Sequence, residues 1–113
     1  MSNAADIALT AIRAFDRKND VIAHNIANVN TDGFKKSRAD LAQATPSGVT
    51  VSTKPVNTPG DTVTIGGVER ETSNVHAGEE LIALIVNTRA TEANIRTVKT
   101  TEEMQGTLFD ILG

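Results

Sequence analysis

The chain has 113 residues, enough for one small domain, and only 3% of them are aromatic, so its core must be built from Ile, Val, Leu and Ala. That composition suits helix packing better than a deep ligand pocket with aromatic walls, and it offers no small-molecule substrate site. A net charge of −3, with no Trp or Tyr and no basic stripe, argues against nucleic acid, and the absence of cysteine removes disulfides and thiolate metal sites.

From about Ala5 to Asn28 the pattern is that of an amphipathic helix. Positions 5, 8, 12, 15, 19, 22, 26 and 29 read Ala, Ala, Ile, Phe, Asn, Ile, Ile and Val, a 3-4 spacing with one polar member, Asn19. Such a helix is roughly 36 Å long. A polar residue in an apolar seam sets register at some cost in stability, whereas on a half-exposed helix it is simply a surface residue. The helix runs into Asn25-Ile26-Ala27-Asn28-Val29-Asn30-Thr31-Asp32-Gly33-Phe34. Asn28 and Asn30 tolerate the left-handed conformation that commonly closes a helix, and Gly33 takes the positive φ of a tight turn. Phe34 then folds back onto the helix it has left.

The middle, from about Ser37 to Thr72, contains all three prolines and half of the glycines. Val49, Val51 and Thr53 alternate with polar residues, as do Val63 and Ile65 before Gly66-Gly67. Pro59-Gly60 fits the central pair of a type II turn. These residues predict one short β-hairpin or two loose strands, which are marginal alone and must lean on something else.

From about Ala77 to Leu112 the helical period returns. Positions 77, 81, 84, 88, 91, 95, 98, 102, 105, 109 and 112 form a seam that is apolar at both ends and weak in the middle. Glu79 and Glu80 favour the positive end of the helix dipole, and Glu92 precedes Arg96 at the i,i+4 spacing of a surface ion pair. Thr100-Thr101-Glu102-Glu103 resembles a capping box, which predicts a kink or restart there. The expected architecture is mainly α: two long terminal helices paired as an antiparallel coiled coil around a small β-hairpin insert. The corresponding segments are 1–36, 37–72 and 73–113.

Catalytic and cofactor chemistry find no support. His24 and His76 are far apart in sequence and no metal-ligand spacing contains them. The pairs Glu79-Glu80 and Glu102-Glu103 are adjacent, so their side chains diverge around the helix. Gly66-Gly67 lacks the helix that follows a phosphate loop, and no nucleophile elbow is present. The chain therefore reads as a non-enzyme without cofactor or metal.

Ala27-Asn28-Val29-Asn30-Thr31-Asp32-Gly33-Phe34-Lys35 resembles the N-terminal signature of the bacterial flagellar axial proteins, the rod and hook family. Ser73-Asn74-Val75, Glu79-Glu80, Arg89-Ala90-Thr91-Glu92-Ala93-Asn94 and Lys99-Thr100 with Glu103-Met104 resemble that family's closing segment. The chain departs from the pattern at His76, where the family usually has Asp, and at Thr88 and Thr91, where it has Gln and Tyr. The missing Asp leaves the start of the second helix less firmly capped. The resemblance implies a structural subunit that pairs its terminal helices with itself and with other rod and hook axial proteins. It further implies passage through the flagellar export apparatus without a cleaved signal, and residence in the periplasm-spanning rod of the basal body. The N-terminus indeed lacks a basic region followed by an apolar run. The short middle segment resembles that of the proximal rod proteins.

On this reading the assembly interface comprises Ile12, Phe15, Ile22, Ile26, Leu81, Leu84, Ile95, Val98 and Leu108. The turn of Asn28, Thr31, Gly33 and Phe34 directs the chain out of the helix pair. A reading from a different class is a small soluble helical adaptor or chaperone-like module, which remains a discrete species at every concentration.

Overall fold

A computed structural model describes residues 4–113; residues 1–3 of the expected N-terminal segment lie outside the described ones. Helix α1 spans Ala4–Ala27 and helix α2 spans Ala77–Leu112. Between them lie four strands: β1 (Ser37–Gln43), β2 (Val49–Pro55), β3 (Thr62–Ile65) and β4 (Val68–Glu71). Both helices sit within a residue of their expected bounds. No second helix restarts at Thr100–Glu103, which lies within one continuous α2 whose Thr101 and Thr107 hydroxyls donate to the Thr97 and Glu103 carbonyls.

The helices are antiparallel. Glu80 and Ala83 of α2 lie beside Ile22 and Asn25 of α1, and Thr101 and Met104 lie beside Ala4. At 1.5 Å per residue the 36-residue α2 outruns the 24-residue α1, so its last turns project past the pair. The molecule measures 78 × 24 × 13 Å, and its radius of gyration is 19.9 Å. A compact chain of this size has a radius of gyration of about 13 Å.

The insert is two antiparallel hairpins rather than one. In the first, Ser37 pairs with Pro55 and Gln43 with Val49. Its β1 strand carries Ala39 and Leu41 inward, and the sheet packs on α1. The Val49 N–H donates to Thr10 Oγ1 at 3.0 Å, tying the hairpin loop to the first turns of the helix. The second hairpin turns on Gly66-Gly67, with φ of +61° and +81°, the two-residue type I′ geometry that only such residues adopt cheaply. It touches no other helix or strand. Pro59-Gly60 forms no type II turn, since Gly60 does not take positive φ. Glycine is required there for a different reason: a Cβ would lie 2.0 Å from the Thr72 carbonyl oxygen.

The core is thin. Its apolar members are Ala8, Ala11, Ala14 and Ile22 of α1, Ala39 of β1, and Val75. Three alanines let α2 and the β1–β2 sheet approach α1 closely. They also give little transfer energy, because each removes little apolar area from water.

Candidate assembly interface

The segment that leaves α1 is held by side chains, with asparagines the principal ones. Asn25 is buried, and both ends of its amide serve one residue: Oδ1 accepts the Ser37 N–H at 3.0 Å and Nδ2 donates to the Ser37 carbonyl at 2.8 Å. It thus imitates a neighbouring strand for the start of β1. Asn74, also buried, accepts the Lys36 N–H at 2.7 Å and donates to the Val56 and Thr58 carbonyls at 2.8 and 3.0 Å. Leucine fits neither site, because the backbone groups would be buried without partners, at about 1–3 kcal/mol each.

Around these asparagines, residues 29–36 are stitched to residues 70–74. Ser73 Oγ donates to the Val29 carbonyl, the Asn74 N–H to the Phe34 carbonyl at 3.2 Å, and the Gly33 N–H to the Glu71 carbonyl at 2.9 Å. Two ion pairs flank the stitch, Lys35 with Glu71 and Arg70 with Asp32 at 2.9 Å. The Lys35 ammonium, and after it the Gly60 N–H, hold the Glu71 carboxyl below its ordinary value of 4.5.

The expected turn residues take their places here. Asn28 Oδ1 accepts from Thr31 Oγ1 at 3.1 Å and its Nδ2 donates to the His24 carbonyl at 2.9 Å. Gly33 has φ of +71°, and Phe34 meets the His24 ring edge-on with centroids 5.6 Å apart. Asn28 and Asn30 are not left-handed, contrary to expectation. Their stretch closes by tight three-residue bonds instead, Asn28 N–H to Asn25 and Val29 N–H to Ile26.

The α1–α2 contact is polar at its centre. Asn87 is buried, and its Nδ2 donates to Asn19 Oδ1 at 2.6 Å and to the Phe15 carbonyl at 2.7 Å. Its own Oδ1 is buried without a partner. Around it α2 turns Ala83, Leu84, Ala90, Thr91, Asn94, Val98 and Thr101 toward shelter. The expected seam of α2 is therefore out of phase. Leu84, Thr91 and Val98 lie in the contact, whereas Leu81 and Ile95 are each 51% exposed and Leu108 points to solvent at the projecting end. Alanines on α1 admit the small and polar stripe of α2 and leave its bulky stripe outside. On α1, Ile22 is buried and Ile12, Phe15 and Ile26 are half-buried, as the spacing implies. Glu92 and Arg96, expected to pair, form no ion pair. His76 begins α2 with no side-chain cap bond, as its chemistry predicts.

Outside the helix pair, α2 presents Leu81, Ile82, Ile85, Val86 and Ile95, then Met104, Leu108, Phe109, Ile111 and Leu112 on the projecting turns. Ten large apolar side chains on one helix are more than a surface scatters singly. The buried asparagines were the residues that sequence reasoning passed over. Of these, only Asn87 carried a local sign, an amide in mid-helix, where asparagine is a poor helix former and so needs a tertiary reason to be there.

The two elements of this interface are also the parts of the chain that match known proteins. Residues 6–35, which are α1 and its turn, match the family described as "Flagella basal body rod protein". Residues 70–111, the end of β4 through α2, match "Flagellar basal body rod FlgEFG protein C-terminal". The flagellar basal-body rod protein FlgG of Bacillus subtilis (strain 168) is 34% identical over 93 residues, covering 80% of this chain. The chain spans about a third of that relative's length, 32%. With both terminal elements matched in order and the intervening strands few and short, the chain belongs to the flagellar basal-body rod protein family.

Proposed function

We propose that this chain is a structural subunit of the flagellar basal-body rod that assembles with copies of itself and with other axial proteins through its terminal helices. The observation that carries this reading is the outward apolar stripe of α2, continued onto turns that project beyond α1. A helix that is apolar on its outside is stable in water only when something covers it. Within the expected interface set, Ile12, Phe15, Ile22, Ile26, Leu84 and Val98 hold the pair within one chain. Leu81, Ile95 and Leu108 are free to contact another chain. The stitched turn, with Asn28, Thr31, Gly33 and Phe34, fixes the direction in which the insert leaves the pair.

The role is mechanical rather than catalytic. The short insert suits a proximal rod protein, residence in the rod of the basal body, and passage through the flagellar export apparatus. Sedimentation velocity over a concentration series tests the reading. Reversible growth of the species with concentration supports it, and its loss in Leu81→Asp with Ile95→Asp assigns it to the outer stripe. A discrete, concentration-independent species would instead favour the adaptor reading.

A further inference from the structure

The chain has one Asp-Gly pair, Asp32-Gly33, and no Asn-Gly pair. Both residues are exposed, and a Cβ on Gly33 would meet nothing within 4 Å, so no neighbouring side chain screens the pair. Aspartate before glycine is open to cyclisation, because glycine has no side chain to hinder attack by its own nitrogen. In that reaction the Gly33 nitrogen attacks Cγ of Asp32. An N–Cγ bond forms and a Cγ–O bond breaks. The oxygen leaves as water, taking the amide proton and one from solvent. Water then opens the cyclic imide. Cleavage at the main-chain carbonyl leaves Gly33 joined to Cγ, so the backbone is longer by one atom and Asp32 has become isoaspartyl. Only water is released and consumed.

The folded stitch opposes this chemistry at each reacting group. The Phe34 N–H donates to the Thr31 carbonyl at 3.2 Å, and of the two residues between them only Gly33 takes positive φ, +71°, which makes a type II turn. The second residue of such a turn, here Asp32, has ψ of about +120°. Ring closure needs Cβ of Asp32 to eclipse the Gly33 nitrogen about the Cα–C bond, and that ψ holds the two apart. The attacking nitrogen is also engaged, since its N–H donates to the Glu71 carbonyl at 2.9 Å. The carboxyl under attack is held by the Arg70 guanidinium, 2.9 Å from Asp32 Oδ2. Arg70 and Glu71 both come from β4, so two of these restraints exist only while β4 lies against the α1 turn.

We propose that Asp32-Gly33 is a site of spontaneous isoaspartyl formation gated by the fold, closed while the stitch holds and open whenever β4 and the α1 turn part. Asn74 keeps the gate shut. Its backbone N–H donates to the Phe34 carbonyl, and its buried side chain binds the Lys36 N–H and the Val56 and Thr58 carbonyls. The modification is lasting. With an extra backbone atom between Thr31 and Phe34, the turn bond and the Gly33–Glu71 bond no longer fit together. An isomerised chain therefore carries a broken stitch, and the direction in which its insert leaves the helix pair is no longer fixed. Chains that stay unfolded accumulate the change and chains that fold promptly escape it. All of these contacts lie within one chain, so the gate operates with or without assembly.

Isoaspartate at Asp32 is followed over time in the tryptic peptide Asn19–Lys35 by electron-transfer fragmentation, in protein held at neutral pH below its melting temperature. The folded parent is expected to react at least about tenfold more slowly than the same chain in urea, because reaction must wait for local opening. Arg70→Ala removes only an exposed ion pair and should speed the folded chain about twofold to threefold. Asn74→Ala strands backbone groups beside the turn and should speed it about tenfold, with circular dichroism checking that the helices persist. In urea all three proteins should share one rate, because neither substitution adjoins Asp32. Hydrogen exchange on the isolated isoaspartyl chain should show protection lost at Gly33 and Asn74. A folded parent that reacts as fast as in urea overturns the proposal. So does a urea-unfolded chain that forms no isoaspartate at Asp32, or an isoaspartyl chain still protected at Gly33. If Asn74→Ala does not fold, Arg70→Ala decides, and a folded rate equal to the parent's overturns the gate.

Discussion

Asn87 Nδ2 donates to Asn19 Oδ1 across 2.6 Å, joining residues 68 positions apart at the middle of the helix pair. The bond marks one register, because sliding either helix by a turn removes it and strands the amides. It is a poor source of stability, since the Asn87 Oδ1 is left without a partner. An orphaned buried acceptor costs about 1–3 kcal/mol.

Asn87→Asp is accordingly expected to destabilise the chain by about 3 kcal/mol, because it buries a carboxylate against two acceptors, Asn19 Oδ1 and the Phe15 carbonyl. The double change Asn19→Leu with Asn87→Leu removes both polar partners together and should melt at least as high as the parent. Thermal unfolding by circular dichroism distinguishes the two. A double variant that melts well below the parent would show that the amide pair stabilises rather than registers.

Asn25→Asp tests the imitation of a strand. The substitution keeps an acceptor for the Ser37 N–H but turns the donor facing the Ser37 carbonyl into a second acceptor. The expected loss is about 2 kcal/mol, concentrated at the start of β1. Hydrogen exchange reads it as lost protection from Ser37 to Leu41, with the middle of α2 still protected.

The Lys35–Glu71 ion pair makes a pH prediction with a definite sign. The folded carboxyl of Glu71 titrates below its ordinary 4.5, so its contribution is fully present above that value and is lost as pH falls through the depressed folded value. Glu71→Gln should therefore lower the melting temperature at pH 7 and lower it by less at pH 3. Equal shifts at both pH values would place the role of Glu71 in packing rather than charge.

Position on the helix pair should separate folding from association. Ile22 is buried inside one chain. Ile22→Asp is expected to cost about 3–5 kcal/mol and to unfold the pair. Leu81→Asp and Ile95→Asp lie on the outer stripe and should leave the isolated chain's melting temperature within a few degrees of the parent while weakening self-association. Circular dichroism and sedimentation on the same samples provide the comparison.

Much of the fold was legible in the residues themselves. A 3.6-residue period sets the two helices, Gly66-Gly67 sets the tip of a hairpin, Phe34 returns to its helix, and His76 makes a weak start to α2. These features depend on neighbours a few positions away, so local chemistry decides them. The rest needed the folded chain. α2 carries two stripes, one bulky with Leu81, Ile85 and Ile95, the other small and polar with Ala83, Asn87, Ala90 and Asn94. Apolar periodicity favours the first as the inner seam. The alanines of α1 permit the second, because only small side chains allow so close an approach, and that choice turns the bulky stripe outward. The first hairpin and the asparagine bonds were hidden for a related reason. The partners of Asn25, Asn74 and Asn87 lie 12 to 72 positions away, and an amide's role is set by whichever backbone group the tertiary structure places before it.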